Sequence, residues 1–376
     1  MAFILAALVA GLLVTLFIVR RAVINARRHV PGSVPSRLTP WTRERNLKGW
    51  GRAGGLGVAA GLLVSLSLRL FDDAAVAGMG LLLLLSAAPV FVAGVADDFT
   101  QRVRGSIRLA AAFISAAIGG VLLNAWVVRI DIPFLDPWFA IPGLAVIFSC
   151  LMVAGLVNAF NIIDGFNGLA GGVASLILVG IAYVAFKVGD LLVLTASLTA
   201  IGAIAGFMLF NFPRGLIYLG DGGAYLIGFW IGELLILLVA RNPKVSAWFP
   251  VLLCSYPVCE MLFSIYRRAY VRRSHPDMPD MAHLHHLIYK RLVRWLIGPG
   301  MQGRHEHGNA LPSPYLWIIT SVGVGPAVVF WEKTLILQIG CIVFAAAYVY
   351  AYVRIVRFRS PRWWSLGRSP RSMDRK

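Results

Sequence analysis

Apolar residues recur along this chain in long runs, which short polar segments separate. A helix needs about 20 apolar residues to cross a lipid bilayer, because the hydrocarbon core is about 30 Å thick. We predict about eleven transmembrane helices, and therefore an all-α polytopic membrane protein. The predicted spans are 2–19, 53–71, 75–94, 107–128, 138–157, 168–186, 189–210, 223–240, 247–265, 312–331 and 334–353.

The composition agrees with this pattern. Apolar residues make up 59% of the 376 positions and charged residues only 14%, a balance outside the range of soluble domains. We expect one integral-membrane domain over residues 1–355, with a long polar loop at 266–311. A basic tail follows at 356–376, and we expect it to lie on anionic lipid.

The net charge of +18 would suit a nucleic-acid-binding protein, but the positions of the basic residues give another explanation. If the N-terminus is outside and the C-terminus cytoplasmic, 29 of the 35 lysine and arginine residues fall in cytoplasmic segments. Such asymmetry is the usual signature of orientation in a cytoplasmic membrane. We therefore expect a lipid bilayer as partner and no nucleic acid.

With this orientation, four polar clusters face the cytoplasm. The first is the acidic pair Asp97 and Asp98, and the second is the segment "NAFNIIDGFNGLAGG" at 158–172. The third is Asp221 in "GDGG", and the fourth is "HLHH" at 283–286. Acidic residues in the opposite loops are predicted to have a structural or solvating role.

The second cluster is predicted to interrupt a helix. Its polar residues recur every third position, and each step of three turns an α-helix by 300°, so they cannot share one narrow face. The glycines among them make a regular helix costly. We expect Asn158 and Asn161 near a helix end, and Asp164 and Asn167 at a break that lines a wet or protein-walled cavity.

Two clusters carry ligand-binding chemistry. Asp221 between glycines at a helix start suits Mg²⁺, which favours one or two carboxylates together with phosphate oxygens and water, and the free N–H groups there suit phosphate. His283, His285 and His286 could bind zinc, but cysteine partners are absent nearby and basic residues follow. Phosphate or sugar hydroxyls are therefore the favoured ligands of these histidines.

The four motifs together resemble the polyprenyl-phosphate N-acetylhexosamine-1-phosphate transferases, of the glycosyltransferase family 4 type. The likeness covers roughly residues 50–295 and is closer to the undecaprenyl-phosphate GlcNAc-1-phosphate transferase branch than to phospho-MurNAc-pentapeptide translocase. The segment "KGWGRAGGLG" also keeps Arg52, Gly54 and Gly55 of a family element. A ten- or eleven-helix bundle with a cytoplasmic active site is the fold that this resemblance implies.

The resemblance implies a role for each motif. Asp97 and Asp98 would lie near the lipid phosphate, and Asp164 would assist the metal and the diphosphate. Mg²⁺, with Mn²⁺ as an alternative, would be held by Asp221 and Asn161. The remaining substrate-binding candidates are Asn158, Asn167, which would face the nucleotide, His283, His285 and His286 at the sugar phosphate, and Arg102, Arg104 and Arg108 at the lipid phosphate.

The implied reaction transfers an N-acetylhexosamine 1-phosphate from a UDP-sugar to undecaprenyl phosphate and releases UMP. It would be the first membrane step of a cell-envelope polysaccharide such as O-antigen, at the bacterial inner membrane. Direct attack and an aspartyl-phosphate intermediate both remain open, as does a homodimer.

The alternative from another class is an ion- or proton-coupled secondary transporter, because intramembrane acids such as Glu233 and Glu260 often mark ion paths. Against it, the polar clusters lie at one surface and no internal repeat is apparent, whereas transporters of this kind bind near the midplane.

Overall fold

The computed structural model describes residues 2–29, 49–272, 283–290 and 309–356. Residues 357–376 of the predicted basic tail, and 273–282 and 291–308 of the predicted polar loop, lie outside the described residues. Within the described ranges the chain is helical. The helices are α1 (Ala2–His29), α2 (Gly54–Arg69), α3 (Ala74–Ser86), α4 (Ala88–Thr100), α5 (Gly105–Leu123), α6 (Asp136–Phe139), α7 (Pro142–Ile163), α8 (Leu169–Val188), α9 (Leu191–Asn211), α10 (Gly220–Arg241), α11 (Phe249–Leu253), α12 (Ser255–Tyr266), α13 (Leu284–Ile288), α14 (Pro312–Val329) and α15 (Thr334–Val356).

The all-α membrane architecture is confirmed. Seven helices in the described part of the chain are long and apolar enough to cross a membrane: Ala2–Ile24 of α1, then α5, α7, α8, α9, α10 and α15. The helices α3 and α4 meet at 46° and would together make one further span. The other predicted spans coincide with the shorter α2 and α14 and with the broken pair α11–α12, so the count of eleven stays a prediction.

Two of the predicted spans are interrupted close to a proline. The span predicted at 75–94 divides at Ala87, where Pro89 opens α4, and this helix continues to Thr100. The span predicted at 247–265 divides at Cys254, three residues before Pro257. Proline lacks the N–H that an uninterrupted helix needs, and its ring clashes with the preceding turn. The acidic pair Asp97 and Asp98 therefore lies in the last turns of a helix, where the sequence predicts a loop.

Helix α10 is the centre of the bundle. All of its residues from Gly220 to Leu238 are buried, and α2, α4, α5, α7 and α8 pack around it. By contrast, large apolar side chains on α1 and α15, such as Leu5 and Ile342, are exposed. In a bilayer these outer faces would contact lipid.

Glycine pairs allow the start of α10 to approach its neighbours closely. A Cβ built on Gly55 of α2 would lie 2.4 Å from Cα of Gly223, and a Cβ on Gly94 of α4 would lie 2.6 Å from Cα of Gly222. Small residues allow membrane helices to pack backbone against backbone. These contacts bring the start of α2 and the second half of α4 against the start of α10, where Asp221 lies.

The opposite end of the bundle is held by its own polar contacts. Asp190 caps α9 through the backbone N–H of Val193 and pairs with Arg241 at 2.9 Å. Asp131, in the loop after α5, accepts hydrogen bonds from Ser246 and from the backbone N–H of Ala247. These acids cap and tie loops, in agreement with the role predicted for them.

Candidate active site

Asp221 is the second residue of α10 and lies at the centre of a charged cluster. Its Oδ1 accepts hydrogen bonds from Nη2 of Arg52 at 2.8 Å and from Nδ2 of Asn161 at 3.2 Å. Its Oδ2 accepts from Nη1 of Arg108 at 2.9 Å. The start of α2, the end of α7 and the start of α5 therefore meet at one carboxylate.

Asp98 is buried beneath this cluster and caps α10 from another helix. Its Oδ1 accepts from the backbone N–H of Asp221 at 2.8 Å and from Nε of Arg52 at 3.1 Å, and its Oδ2 accepts from the N–H of Gly222 at 3.0 Å. Its side chain is only 2% exposed. A carboxylate at a helix N-terminus satisfies open N–H groups and is favoured by the helix dipole. Asp98 therefore fixes the position of Asp221, which the sequence alone did not indicate.

Asp97 lies on the more open side of the cluster. Its Oδ1 accepts from the backbone N–H of Val103 at 3.0 Å, and its Oδ2 accepts from Nη1 of Arg108 at 2.9 Å. The same Arg108 nitrogen contacts Asp221, so one guanidinium joins the two carboxylates. The cluster thus contains the side chains of three aspartates and two arginines.

The structure separates the three arginines that the sequence grouped. Arg108 joins the cluster, with its side chain 31% exposed. Arg102 and Arg104 are exposed and precede α5 in the chain. The carbonyl of Arg104 accepts the first backbone hydrogen bonds of that helix, from Ile107 and Arg108. Contact of Arg102 and Arg104 with a lipid phosphate stays a prediction.

The predicted break in the second cluster is present. Helix α7 ends at Ile163, Asp164 is its C-cap, and α8 begins only at Leu169. Gly168 adopts φ 78°, a left-handed conformation that glycine tolerates. Residues 164–168, called here the DGFNG turn, connect the two helices. Asn161, in the last turn of α7, reaches Asp221, whereas Asn158 is exposed.

Asn167 lies in a different environment from the one that the resemblance implies. It is 2% exposed. Its Nδ2 donates to the carbonyl of Pro213 at 3.2 Å, and its Oδ1 accepts from Nδ2 of Asn309 at 3.0 Å. Its backbone carbonyl accepts from Ser313 at 2.7 Å. These contacts anchor the DGFNG turn from inside the protein, so a direct contact of Asn167 with the nucleotide stays a prediction that this burial does not favour.

Two of the three histidines, His285 and His286, lie against the DGFNG turn. His283 precedes α13, and His285 and His286 lie within it. A Cβ built on Gly165 would lie 3.2 Å from Nε2 of His285 and 4.0 Å from Nε2 of His286. The ring of Phe166 lies 5.7 Å from that of His285. The turn that follows Asn161 in the chain and carries Asp164 is therefore in contact with His285 and His286.

Asp221 and Asn161 carry oxygen atoms of the kind that Mg²⁺ prefers, and binding of Mg²⁺ at these residues stays a prediction. No group of three acidic, histidine or cysteine side chains in the described ranges has the arrangement to hold a metal by itself. Mg²⁺ does not require such a cage, because it keeps several waters and uses one or two carboxylates plus substrate phosphates. Asp221 and the amide oxygen of Asn161 could supply protein ligands, and the side chain of Asp221 is 12% exposed.

Sequence reasoning missed two contributors to the site. Arg52 was noted as part of a family element but not as a partner of Asp98 and Asp221. The glycines that follow it, Gly54 and Gly55, are the only local signal, since they mark a close helix contact. Glu260 was left without a role, and the structure pairs it with His285 at 2.9 Å.

The comparisons with known proteins agree with the motifs. Residues 80–239 match the sequence model of glycosyl transferase family 4. The probable undecaprenyl-phosphate N-acetylglucosaminyl 1-phosphate transferase of Bacillus subtilis (strain 168) is 29% identical over 260 residues, 66% of this chain and 68% of that protein. Residues 80–239, which the family model matches, contain the first three polar clusters but not the histidines.

Two further relatives carry similar names. The undecaprenyl-phosphate alpha-N-acetylglucosaminyl 1-phosphate transferase of Thermotoga maritima is 26% identical over 217 residues, 56% of this chain and 62% of that protein. The decaprenyl-phosphate N-acetylglucosaminephosphotransferase of Mycolicibacterium smegmatis is 25% identical over 324 residues, 77% and 75% of the two chains. These similarities confirm the resemblance that the motifs indicate, and they do not support the transporter alternative.

Proposed function

We propose that this chain, a relative of the glycosyl transferase family 4 enzymes, transfers N-acetylhexosamine 1-phosphate from a UDP-sugar to undecaprenyl phosphate. The products are undecaprenyl-diphospho-sugar and UMP. GlcNAc is the first sugar to test, because the relatives' names specify it. The single observation that carries the proposal is the cluster in which Arg52 and Arg108 join Asp97, Asp98 and Asp221 at converging helix ends.

The chemistry of this cluster suits a reaction among phosphates. Phosphoryl transfer depends on positioning and on stabilising negative charge, rather than on covalent chemistry by the protein. Arg52 and Arg108 can exchange contacts with carboxylates for contacts with phosphate oxygens, because a guanidinium matches both. A bound phosphate could thus be held by the guanidinium groups of Arg52 and Arg108, which already lie within hydrogen-bonding distance of Asp221.

In the proposed reaction an oxygen of the lipid phosphate attacks the sugar-bound β-phosphorus. The bond from that phosphorus to the oxygen bridging to the α-phosphate breaks, and UMP leaves with this oxygen. Mg²⁺ bound at Asp221 and Asn161 would screen the diphosphate and stabilise charge on the leaving group. Arg108 would orient the lipid phosphate beside Asp97.

Asp97 is assigned to orient the lipid phosphate rather than to act as an obligatory base. A phosphate monoester is already largely ionised at neutral pH, so direct attack needs little proton transfer. Formation of an aspartyl-phosphate on Asp97 is the competing route. The two routes differ in whether UMP can exchange into the UDP-sugar before any lipid phosphate is bound.

The proposed location is the bacterial inner membrane, with the site facing the cytoplasm. The site lies at the end of the bundle where α2 starts and α15 ends. The start of α1 lies at the opposite end, because Ser65, near the end of α2, donates a hydrogen bond to the carbonyl of Phe3. The excess of lysine and arginine in the segments that the sequence predicts to be cytoplasmic supports this orientation. UDP-sugars are cytosolic, so a cytoplasmic site would give direct access to the donor.

The proposal can be tested with the purified chain in lipid nanodiscs. The assay supplies undecaprenyl phosphate, Mg²⁺ and one of a panel of UDP-sugars, and it measures UMP release and the labelled lipid product. We expect UMP release that requires both the lipid phosphate and a divalent cation. Absence of transfer from every N-acetylhexosamine donor by well-folded protein would refute the proposal. Chelation of the metal tests its requirement separately.

A further inference from the structure

Glu260 on α12 is a buried carboxylate for which the proposed reaction has no role. Its exposed fraction is 1%, that of His285 is 0% and that of Tyr348 is 5%. Its Oε1 lies 2.9 Å from Nδ1 of His285, and its Oε2 accepts a hydrogen bond from the hydroxyl of Tyr348 on α15. Both oxygens of this carboxylate are therefore used, and three separate helices contribute to one buried chain of hydrogen bonds.

An ionised Glu260 in this arrangement would set which nitrogen of His285 bears a proton. With Glu260 ionised, its oxygens can only accept, and Nδ1 of His285 then donates to it. The hydrogen bond made by one ring nitrogen sets the role of the other. Nε2, on the opposite edge of the ring, lies beside Gly165 in the DGFNG turn, where an added Cβ would approach it to 3.2 Å. The hydrogen-bonded chain thus orients the ring edge that faces Asp164 and its neighbours.

We propose that Glu260, held by Tyr348, is a positioning residue that orients His285 and stabilises its protonated form. Nε2–H would then donate to a phosphate or hydroxyl oxygen of the nucleotide sugar at the DGFNG turn. This inference rests on the proposed transferase function and identifies the group that recognises the donor. Burial strengthens the effect, because a charge pair removed from water is screened little.

Other titratable groups around His285 also act on its charge. His283 and His286 have rings 5.1 and 4.3 Å from that of His285, and protonation of either would oppose a second imidazolium. Glu260 is the carboxylate in direct contact. The further groups on the surrounding elements are Asp164 before Gly165, Tyr256 and Cys259 on α12, Arg267 after it, and Tyr348 and Tyr352 on α15.

The test begins with Glu260→Gln, which preserves size and removes the charge. The neutral amide removes the counter-charge of the imidazolium, and where it donates to Nδ1 the ring keeps its proton on Nε2 but carries no positive charge. We expect kcat/KM for the UDP-sugar to fall about tenfold to a hundredfold, the usual cost of losing a supporting partner of a functional histidine. The alkaline limb of the pH profile should move to lower pH, because the imidazolium loses its counter-charge.

Tyr348→Phe should move the same limb in the same direction by a smaller amount, since Glu260 keeps its charge and loses one donor. The matched control is Glu233→Gln. Glu233 is equally buried, on α10, and its side chain packs against Gly119. We expect the control to retain the wild-type pH profile. An unchanged profile in Glu260→Gln would overturn the proposal.

A double-mutant cycle shows whether Glu260 acts through His285. If it does, Glu260→Gln should cause little further loss of kcat/KM in a His285→Gln background, whereas a purely structural role predicts losses that multiply. Apparent Tm values, measured on every variant, identify any that fail to fold, and Tyr348→Phe then supplies the test. Two results separate this proposal from the proposed transferase function. Absence of UMP release by the wild-type protein would refute the transferase function, whereas an unchanged pH profile in an active Glu260→Gln variant would refute only the role of Glu260.

Discussion

The side chain of Asp98 accepts a hydrogen bond from the backbone N–H of Asp221 at 2.8 Å, although 123 residues separate the two. One acid of the pair on α4 thus holds the helix start that presents Asp221, while its neighbour Asp97 stays accessible. We therefore expect Asp98→Ala to lower both stability and activity. Loss of a helix cap costs about 0.5–2 kcal/mol. Asp97→Ala should lower activity with a smaller change in apparent Tm, and equal changes in the two variants would contradict this division.

Arg52 should not be replaceable by lysine. Its Nε contacts Asp98 and its Nη2 contacts Asp221, at 3.1 and 2.8 Å, and a lysine ammonium cannot reproduce this two-sided geometry. Loss of one charged hydrogen bond costs about 1.5–3 kcal/mol, so kcat/KM should fall about tenfold to a hundredfold in Arg52→Lys. Steady-state UMP release measures the effect. Arg69→Lys, at the far end of α2, is the control and should behave like the wild type.

The glycine contacts at the start of α10 predict a steric test. A Cβ on Gly55 would lie 2.4 Å from Cα of Gly223, and backbone on both sides leaves no flexible group to move. We expect Gly55→Ala to destabilise the protein by about 1–3 kcal/mol and to displace Asp221 from Arg52. Gly78→Ala is the control, because nothing lies within 4 Å of its added Cβ. Apparent Tm and UMP release should fall together in the first variant only.

Asp131 at the opposite end of the bundle predicts a pH-dependent contribution to stability. Burial alone would raise its pKa, but the N–H of Ala247 and the side chains of Arg129 and Ser246 together lower the pKa below its usual range. Its charge therefore stabilises the fold above the unfolded-state value of about 3.9. This contribution is lost as the pH falls through the lowered folded-state pKa.

The suitable variant is Asp131→Asn, because residue 131 adopts φ 55° and asparagine tolerates the left-handed region. At pH 7 the free energy of unfolding should fall by about 1–3 kcal/mol. The difference from wild type should persist down to about pH 4 and shrink below it. Transfer activity per folded molecule should be unchanged, since this residue lies far from the site. A difference in stability that grew on acidification would contradict the assignment.

Local sequence signals could predict helix breaks and helix starts, because these features depend on residues that are neighbours in the chain. The break after Ile163 could be predicted because Gly165 and Gly168 disfavour a continuous helix, and the start of α10 because "GDGG" marks a helix opening. The helix breaks at Ala87 and Cys254 had signals in Pro89 and Pro257, but hydropathy alone merged the segments into continuous spans.

Contacts between distant residues could not be predicted in this way. Arg52 lies 46 residues from Asp98 and 169 from Asp221. Asn167 is buried because Asn309, 142 residues later, closes over it. Arg102 and Arg108 looked equivalent in the sequence. In the structure Arg102 precedes α5 and is exposed, whereas Arg108 lies in the first turn of α5 and pairs with Asp97 and Asp221. Burial and pairing of this kind are determined by tertiary packing.

The most direct test of the central claim is transfer of labelled N-acetylhexosamine 1-phosphate to undecaprenyl phosphate by matched aspartate variants. Asp221→Asn removes the charge at the centre of the cluster, and Asp190→Asn removes a buried, arginine-paired charge at the opposite end. We expect Asp190→Asn to form the labelled lipid at a rate close to that of wild type, and Asp221→Asn to form none while it remains folded. Full transfer by Asp221→Asn would contradict the account.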